Sequence, residues 1–256
     1  MIRQLISIYS KSKFAIKVDV NKITPYTDSV TGVLQGCQLS PFLFAIFIND
    51  LIDFLGIDCD SPTIGDHPIN ALLFADDLVL ISESVGGLQR LLNRLAEWCD
   101  HWCMEVNREK SKVVVFKKNS KLAANERWHY KDCVLEIVPE FKYLGVCLSF
   151  NGKWTKHISR AVLSAKAVVM RLSRLVYRCP YLPTSVLLRI HDATLKPVVL
   201  YGAEIWGLET YVNPVSGPTT TFLKKLLRLP HSASNAGVNL YFSRPGIKIT
   251  STPKPF

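Results

Sequence analysis

The chain has 256 residues, 48% hydrophobic and 20% charged, which is enough to bury a core and excludes a disordered or low-complexity polymer. No apolar run approaches the ~18 residues of a membrane span, and the N-terminal residues carry no apolar signal core, so no membrane partner is expected. Seven cysteines, an odd number, argue against a secreted disulfide framework, so the expectation is a soluble intracellular protein, nuclear or cytoplasmic.

Along the chain, residues 2–9 read as a short helix or a buried strand. Residues 14–18 alternate like a strand, with a turn at Asn21-Lys22 and a partner near 23–27. A helix is expected from Ser40, which can cap it, with Pro41 at its first position and Gly56 at its end. Phe42, Leu43, Phe44, Ile46, Phe47 and Ile48 are apolar nearly all round, so its start should be deeply buried. The apolar runs 71–75 and 78–81 flank Asp76-Asp77 and predict a tight hairpin with both carboxylates at its tip. A helix follows over about 87–103, with Leu88, Leu91, Leu92, Leu95 and Trp98 on one face. Residues 113–116 read as a strand, and 133–150 as a strand or hairpin with Gly145 and Asn151-Gly152 in turns. A long helix is expected over 155–178, stopped by Cys179-Pro180. Further helices are expected over 184–203 and 220–229, and the tail from 231 should be irregular.

The net charge of +10 is unevenly spread. Residues 1–100 hold 7 Lys/Arg and 12 Asp/Glu (net −5), and residues 101–256 hold 24 and 9 (net +15). A basic second part points to a polyanion, nucleic acid first, although a merely solvated surface fits the charge alone. On the long helix, Lys156, Arg160, Arg171, Arg174 and Arg178 fall in one narrow stripe opposite Ile158, Val162, Ala165, Val169, Leu172 and Val176. No acidic residue lies between Glu140 and Asp192, which favours contact with nucleic-acid phosphates over an ordinary mixed surface.

Asp76-Asp77 is the chemical candidate. Asp is a common turn residue, but two adjacent carboxylates repel unless a cation neutralises them, and hard oxygen donors on a hairpin suit Mg²⁺. Cys99 and Cys103, one helical turn apart around His101, are half a zinc site at most. No second pair has suitable spacing, so both should be packing residues.

Phe74-Ala75-Asp76-Asp77 resembles the aromatic-X-Asp-Asp motif of reverse transcriptases. Residues 32–41 (Gly-Val-Leu-Gln-Gly-Cys-Gln-Leu-Ser-Pro), with Phe44 and Asn49-Asp50-Leu51, resemble the template and substrate motif that precedes it at about this spacing. Trp98-Cys99 with Asn107 and Lys110-Ser111-Lys112 is similar to the next palm segment. Phe141-Lys142-Tyr143-Leu144-Gly145 is similar to the primer-grip hairpin. Residues 201–206 and 222–227 resemble the region after the palm in non-LTR retrotransposon (LINE-like) polymerases. The resemblance spans roughly residues 1–235, with five weak motifs in order.

It implies an α+β fold: a partial palm, an antiparallel sheet with helices on one face, followed by an α-helical thumb. The expected division is 1–150 palm, 151–230 thumb and 231–256 tail. The implied chemistry is RNA-templated DNA synthesis by two-metal transfer, with two Mg²⁺ ions, an RNA template, a DNA primer and deoxynucleoside triphosphates. Asp76 would be the main metal ligand and Asp77 the weaker or outer carboxylate. Gln35 and Gly36 would lie over the incoming nucleotide, Phe74 beneath the primer end, and Lys110 or Lys112 near the triphosphate. Tyr143, Leu144 and Gly145 would hold the primer, and the stripe from Lys156 to Arg178 would track the duplex backbone. Phe74 as plain core and Gly145 as a mere turn are the competing structural roles.

One departure matters. The family's first Asp-bearing strand, the source of a third carboxylate, and its basic fingers have no counterpart in residues 1–28, where Asp19 sits near a turn and Asp28 opens the Gln-Gly motif. Leu34 and Gln38 also replace the commoner Arg and Pro. The chain is therefore expected to be N-terminally truncated and inactive by itself. The alternatives are a non-enzymatic nucleic-acid-binding fragment and a decayed element without selected function.

Overall fold

The computed structural model describes residues 2–11, 13–20, 22–28, 32–117, 126–207 and 213–242. Its helices are α1 (Ile2–Tyr9), α2 (Ser40–Phe47), α3 (Leu51–Leu55), α4 (Val85–His101), α5 (Thr155–Arg178), α6 (Thr184–Leu200), α7 (Ala203–Trp206), α8 (Asn213–Leu226) and α9 (Asn235–Tyr241). Strands among the described residues pair two at a time. The mixture of helix and antiparallel hairpins agrees with an α+β chain. Two compact units emerge, one of Met1–Arg108 with Ala124–Leu135, the other of Glu109–Ala123 with Glu136–Phe256.

In the first unit, Lys17–Asp19 pairs with Lys22–Ile23 and Lys13–Phe14 with Thr27–Asp28, as the alternation at 14–18 foretells. The long helix expected from Ser40 is broken into α2 and α3, and Gly56, at φ +60°, ends α3. Ser40 does not cap α2: it is the first helical residue, and its hydroxyl donates to Leu34 O at 2.6 Å.

The expected deep burial of α2 is also corrected. Phe42 is 66% and Ile46 58% exposed, and Ile48, just past the helix end, is the nearby buried apolar residue. A helix apolar on every side needs neighbours on every side. The described residues cover this one at buried Ser40 and towards its C-terminal end, where Phe47 meets Trp102 edge-on at 5.3 Å, but not at Phe42 or Ile46.

The core forms where α3 meets α4. Leu51 and Leu55 are buried, as are Leu91, Leu92, Leu95, Trp98 and Cys99 at helical spacing on α4. Trp98 Nε1 donates to Asp50 Oδ1 at 3.2 Å. Gln89 acts as a surrogate strand: its amide donates to His129 O (2.8 Å) and accepts from His129 N (2.9 Å). Ser84 caps α4, accepting from Gly87 N at 2.9 Å and donating to Asp60 Oδ2 at 2.7 Å. A methyl on Gly87 would lie 2.2 Å from Ser82 Oγ, so only glycine fits there. Cys99 is buried, and burial pushes its thiol pKa up, whereas Cys103 lies beyond the helix, exposed, at φ +53°. Cys99 is thus the packing residue expected and Cys103 is not.

In the second unit, Glu140–Tyr143 and Val146–Ser149 form an antiparallel hairpin. The strand expected at 113–116 is confined to Lys112–Val113, paired in parallel with Glu136–Ile137. α5 occupies the expected 155–178 and buries Ile158, Ala165, Val169 and Leu172 against Leu195, Val199, Trp206, Phe222 and Leu223. The helix expected over 184–203 ends at Leu200, and the one expected over 220–229 is α8, Asn213–Leu226. The tail expected to be irregular from 231 contains α9, capped by Ser234, whose hydroxyl accepts from Gly237 N. Residues 243–256 of that tail lie outside the described residues. No described helix is long and apolar enough to cross a membrane.

Candidate functional site

The two-residue turn of the carboxylate hairpin is Ala75-Asp76, one residue earlier than expected. Ala71–Phe74 pairs with Asp77–Leu80 in the register Phe74↔Asp77 and Leu72↔Val79. Asp76 therefore stands in the turn, while Asp77 is the first strand residue. Ala75 takes φ +53°, which costs an L-residue roughly 1–2 kcal/mol. Strand alternation puts Leu72, Phe74, Asp77 and Val79 on one face and Leu73, Leu78 and Leu80 on the other, with α4 packed near the second strand. Phe74 is 62% exposed, so it is not core. Asp76 and Asp77 are exposed, and neither has an ion-pair partner among the described residues. Two adjacent hard-oxygen donors without a neighbouring cation fit a divalent ion.

The Gln-Gly segment is a tight turn in the same unit. Cys37 N donates to Leu34 O at 3.2 Å, which places Gln35 and Gly36 at the two central positions. Gly36 takes φ +81°, and a Cβ there would meet open space, so conformation rather than crowding demands the glycine. The Ser40 hydroxyl ties this turn to the start of α2, and Tyr9 Oη lies 3.3 Å from Ser40 Oγ. Gln35 is left exposed at the turn.

The remaining candidates belong to the second unit. Leu144 (φ +44°) and Gly145 (φ +85°) make the turn between Glu140–Tyr143 and Val146–Ser149. Tyr201 latches it: its hydroxyl donates to Leu144 O at 2.6 Å, and a Cβ on Gly145 would lie 2.6 Å from its Cε1. Trp206 Nε1 in turn donates to Tyr201 O at 2.9 Å. Burial pushes the His157 pKa down, and its Nδ1 accepts from Cys147 N at 3.2 Å, joining the hairpin to α5. We expect Gly145→Ala to cost about 2 kcal/mol from backbone strain and overlap. In a Tyr201→Ala background the overlap is gone and about half of that cost should vanish. Denaturant unfolding of the four proteins checks this, and strict additivity would refute the latch.

Lys112 Nζ pairs with Glu136 Oε2 at 2.6 Å across the parallel strand pair, and Lys110 is also engaged. On α5, Lys156 Nζ lies 2.9 Å from Glu140 Oε2, and Arg160 pairs with Glu140 Oε1. Those partners hold the Glu140 carboxyl below its ordinary pKa, Lys156 most strongly. The stripe is therefore not acid-free at its N-terminal end. Arg171, Arg174 and Arg178 are exposed further along.

The structure thus brings Phe74, Asp76 and Asp77 together on one hairpin, with Gln35 and Gly36 on a turn of the same unit. Tyr143–Gly145, Lys110, Lys112 and the α5 stripe belong to the other unit. Two features went unpredicted. One is the Tyr201 latch, whose signal was only an aromatic beside Gly202 in a motif of unassigned role. The other is the cluster Asp58, Cys59 and Asp60, whose ligand atoms lie within 4.8 Å of one another. Arg90 closes that cluster, pairing with Asp58 at 2.7 Å and Asp60 at 2.6 Å. Its hydrogen bonds hold the Asp58 carboxyl far below the usual range, so the cluster is an ion-pair brace.

The family model described as reverse transcriptase (RNA-dependent DNA polymerase) matches residues 3–148, more than half of the chain. The probable RNA-directed DNA polymerase from transposon BS of Drosophila melanogaster is 27% identical over 190 residues, 71% of this chain and 20% of that protein. The RNA-directed DNA polymerase from mobile element jockey of the same fly is 23% identical over 217 residues, 82% of this chain and 23% of its own length. The Pol polyprotein from the type-2 retrotransposable element R2DM is 32% identical over 129 residues, 48% of this chain and 12% of its own. The chain thus spans about a quarter or less of these relatives. No solved structure matches it. From the matched family model and these relatives, the chain belongs to the reverse transcriptase family, as a reverse transcriptase domain of the non-LTR, LINE-like retrotransposon type.

Proposed function

We propose that this chain is part of a polymerase for RNA-templated DNA synthesis, with residues 1–150 as a partial palm, 151–230 as a helical thumb and 231–256 as a tail. The observation that carries the reading is the exposed Asp76-Asp77 pair on a hairpin whose neighbouring aromatic, Phe74, is also exposed. The family is divalent-metal dependent. Here Asp76, with Asp77 beside it, would hold Mg²⁺, which when bound neutralises phosphate charge and activates the primer hydroxyl.

The chain's own residues divide the remaining work. The Gln35-Gly36 turn presents a backbone that a nucleotide can approach closely. Phe74 supplies an apolar platform for the primer end. Tyr143, Leu144 and Gly145, latched by Tyr201, position the primer backbone. Lys110 and Lys112 lie on the segment assigned to the triphosphate. On α5, Arg171, Arg174 and Arg178 contact duplex phosphates, with Lys156 and Arg160 shared with Glu140. The partners are an RNA template, a DNA primer and deoxynucleoside triphosphates inside the cell.

The test is binding of an RNA–DNA duplex to the purified chain across a salt series. Neutralising three phosphates releases their counterions, so log K should fall with log salt at a slope of about −3 or steeper. Affinity that is flat with salt would show that the basic helix does not contact duplex phosphates.

A further inference from the structure

We propose that the second unit holds a phosphate-type oxyanion site between α8 and the loop that follows it. Lys224, on α8, is 7% exposed. Its Nζ donates one hydrogen bond, to His231 O at 2.7 Å. An ammonium group has three donors and no acceptor, and a buried charge is costly unless it is paired. No carboxylate pairs with Lys224 among the described residues, and the sequence holds no Asp or Glu from Thr210 to Phe256.

Beside the ammonium lies a cavity of about 390 Å³, lined among others by Thr220, Thr221, Lys224, His231, Ser232 and Asn235. That volume falls within the ~300–1,000 Å³ usual for ligand sites. The Thr220 and Thr221 hydroxyls are spent inside α8, donating to Ser216 O (3.2 Å) and Gly217 O (2.9 Å). The lining side chains that can turn a donor to a guest are the Lys224 ammonium, the Ser232 hydroxyl, the His231 ring and the Asn235 amide. A point charge with neutral donors around it, and no competing carboxylate, suits a phosphate. Two sources share that chemistry, free phosphate and a nucleic-acid phosphodiester. Neither involves Asp76 or the α5 stripe, so the site stands or falls apart from the polymerase reading.

The experiment titrates the full chain with inorganic phosphate and, separately, with dimethyl phosphate, against sodium chloride at matched ionic strength. Backbone amide NMR supplies the readout. Saturable shifts centred on residues 217–235 are expected with at least one probe. Response to both points to a backbone phosphodiester, and response to inorganic phosphate alone to a free phosphate. Lys224→Met should weaken binding about tenfold or more. Ser232→Asp should do the same without removing the lysine, because it places a carboxylate beside the ammonium. This second variant decides the matter if Lys224→Met fails to fold. Shifts that follow ionic strength alone, or wild-type affinity in Ser232→Asp, would overturn the site.

Discussion

Primer extension by the 256-residue polypeptide alone should be undetectable in Mg²⁺, and supplying a strand with a third carboxylate should raise it about a thousandfold. Two-metal transfer would need several protein carboxylates to hold the ions, with substrate phosphates supplying the rest of their oxygen donors. Asp76 and Asp77 project from one hairpin, with Asp76 in the turn and Asp77 opening the second strand. No third strand joins that hairpin among the described residues, and no third metal-ligating side chain clusters with the pair. A deficit of ~4 kcal/mol in transition-state stabilisation is about a thousandfold in rate. Asp76→Ala should abolish the restored activity. Robust extension by the unaided polypeptide that disappears in Asp76→Ala would contradict the need for a third carboxylate. Extension that survives Asp76→Ala marks a contaminating polymerase.

Reversing Arg171, Arg174 and Arg178 to Glu should lower affinity for an RNA–DNA duplex by roughly a hundredfold at low salt and flatten the salt slope by about 3. The loss should be similar for every sequence tested, because phosphate contacts carry no base information. Lys156→Ala and Arg160→Ala make the sharper control. Both cations already share Glu140, so each substitution should change duplex affinity by less than about twofold. Equal effects from the two ends of the stripe would show that the Glu140 pairing yields to phosphate. Unchanged affinity in the triple variant would take α5 out of the nucleic-acid interface.

What could be read from residues alone followed local physics. α5 was legible to its ends because its apolar and basic faces separate cleanly and Pro180 forbids continuation. The Gln35-Gly36 turn was not legible: the resemblance implied only a loop there, and the tight turn with Gly36 at φ +81° emerges from the structure. The carboxylate hairpin was legible as a hairpin, but its register was off by one. Two flanking apolar runs do not tell whether Asp76-Asp77 or Ala75-Asp76 spans the turn, and here the backbone tolerates Ala75 at positive φ.

Ser40 shows a different limit. Its composition is that of a cap, yet its hydroxyl is claimed by Leu34 O, six residues earlier. Glu140 and Tyr201 were illegible because both act at a distance in sequence. Glu140 reaches Arg160 twenty residues on, and Tyr201 reaches Leu144 fifty-seven residues back. The exposure of Phe42 and Ile46 is the same lesson in reverse. Apolar patterning states what a helix wants to bury against, not whether a neighbour is there.

The most direct test places a photoreactive base at the 3′ end of a DNA primer annealed to RNA and maps where it crosslinks on the chain, whether or not the chain is active. Crosslinks are expected from the primer terminus to residues 71–80, around Phe74 and Asp76, and from upstream nucleotides to α5. Crosslinks confined to α5, with none on the carboxylate hairpin from any primer position, would contradict the polymerase reading and leave a nucleic-acid-binding fragment in its place.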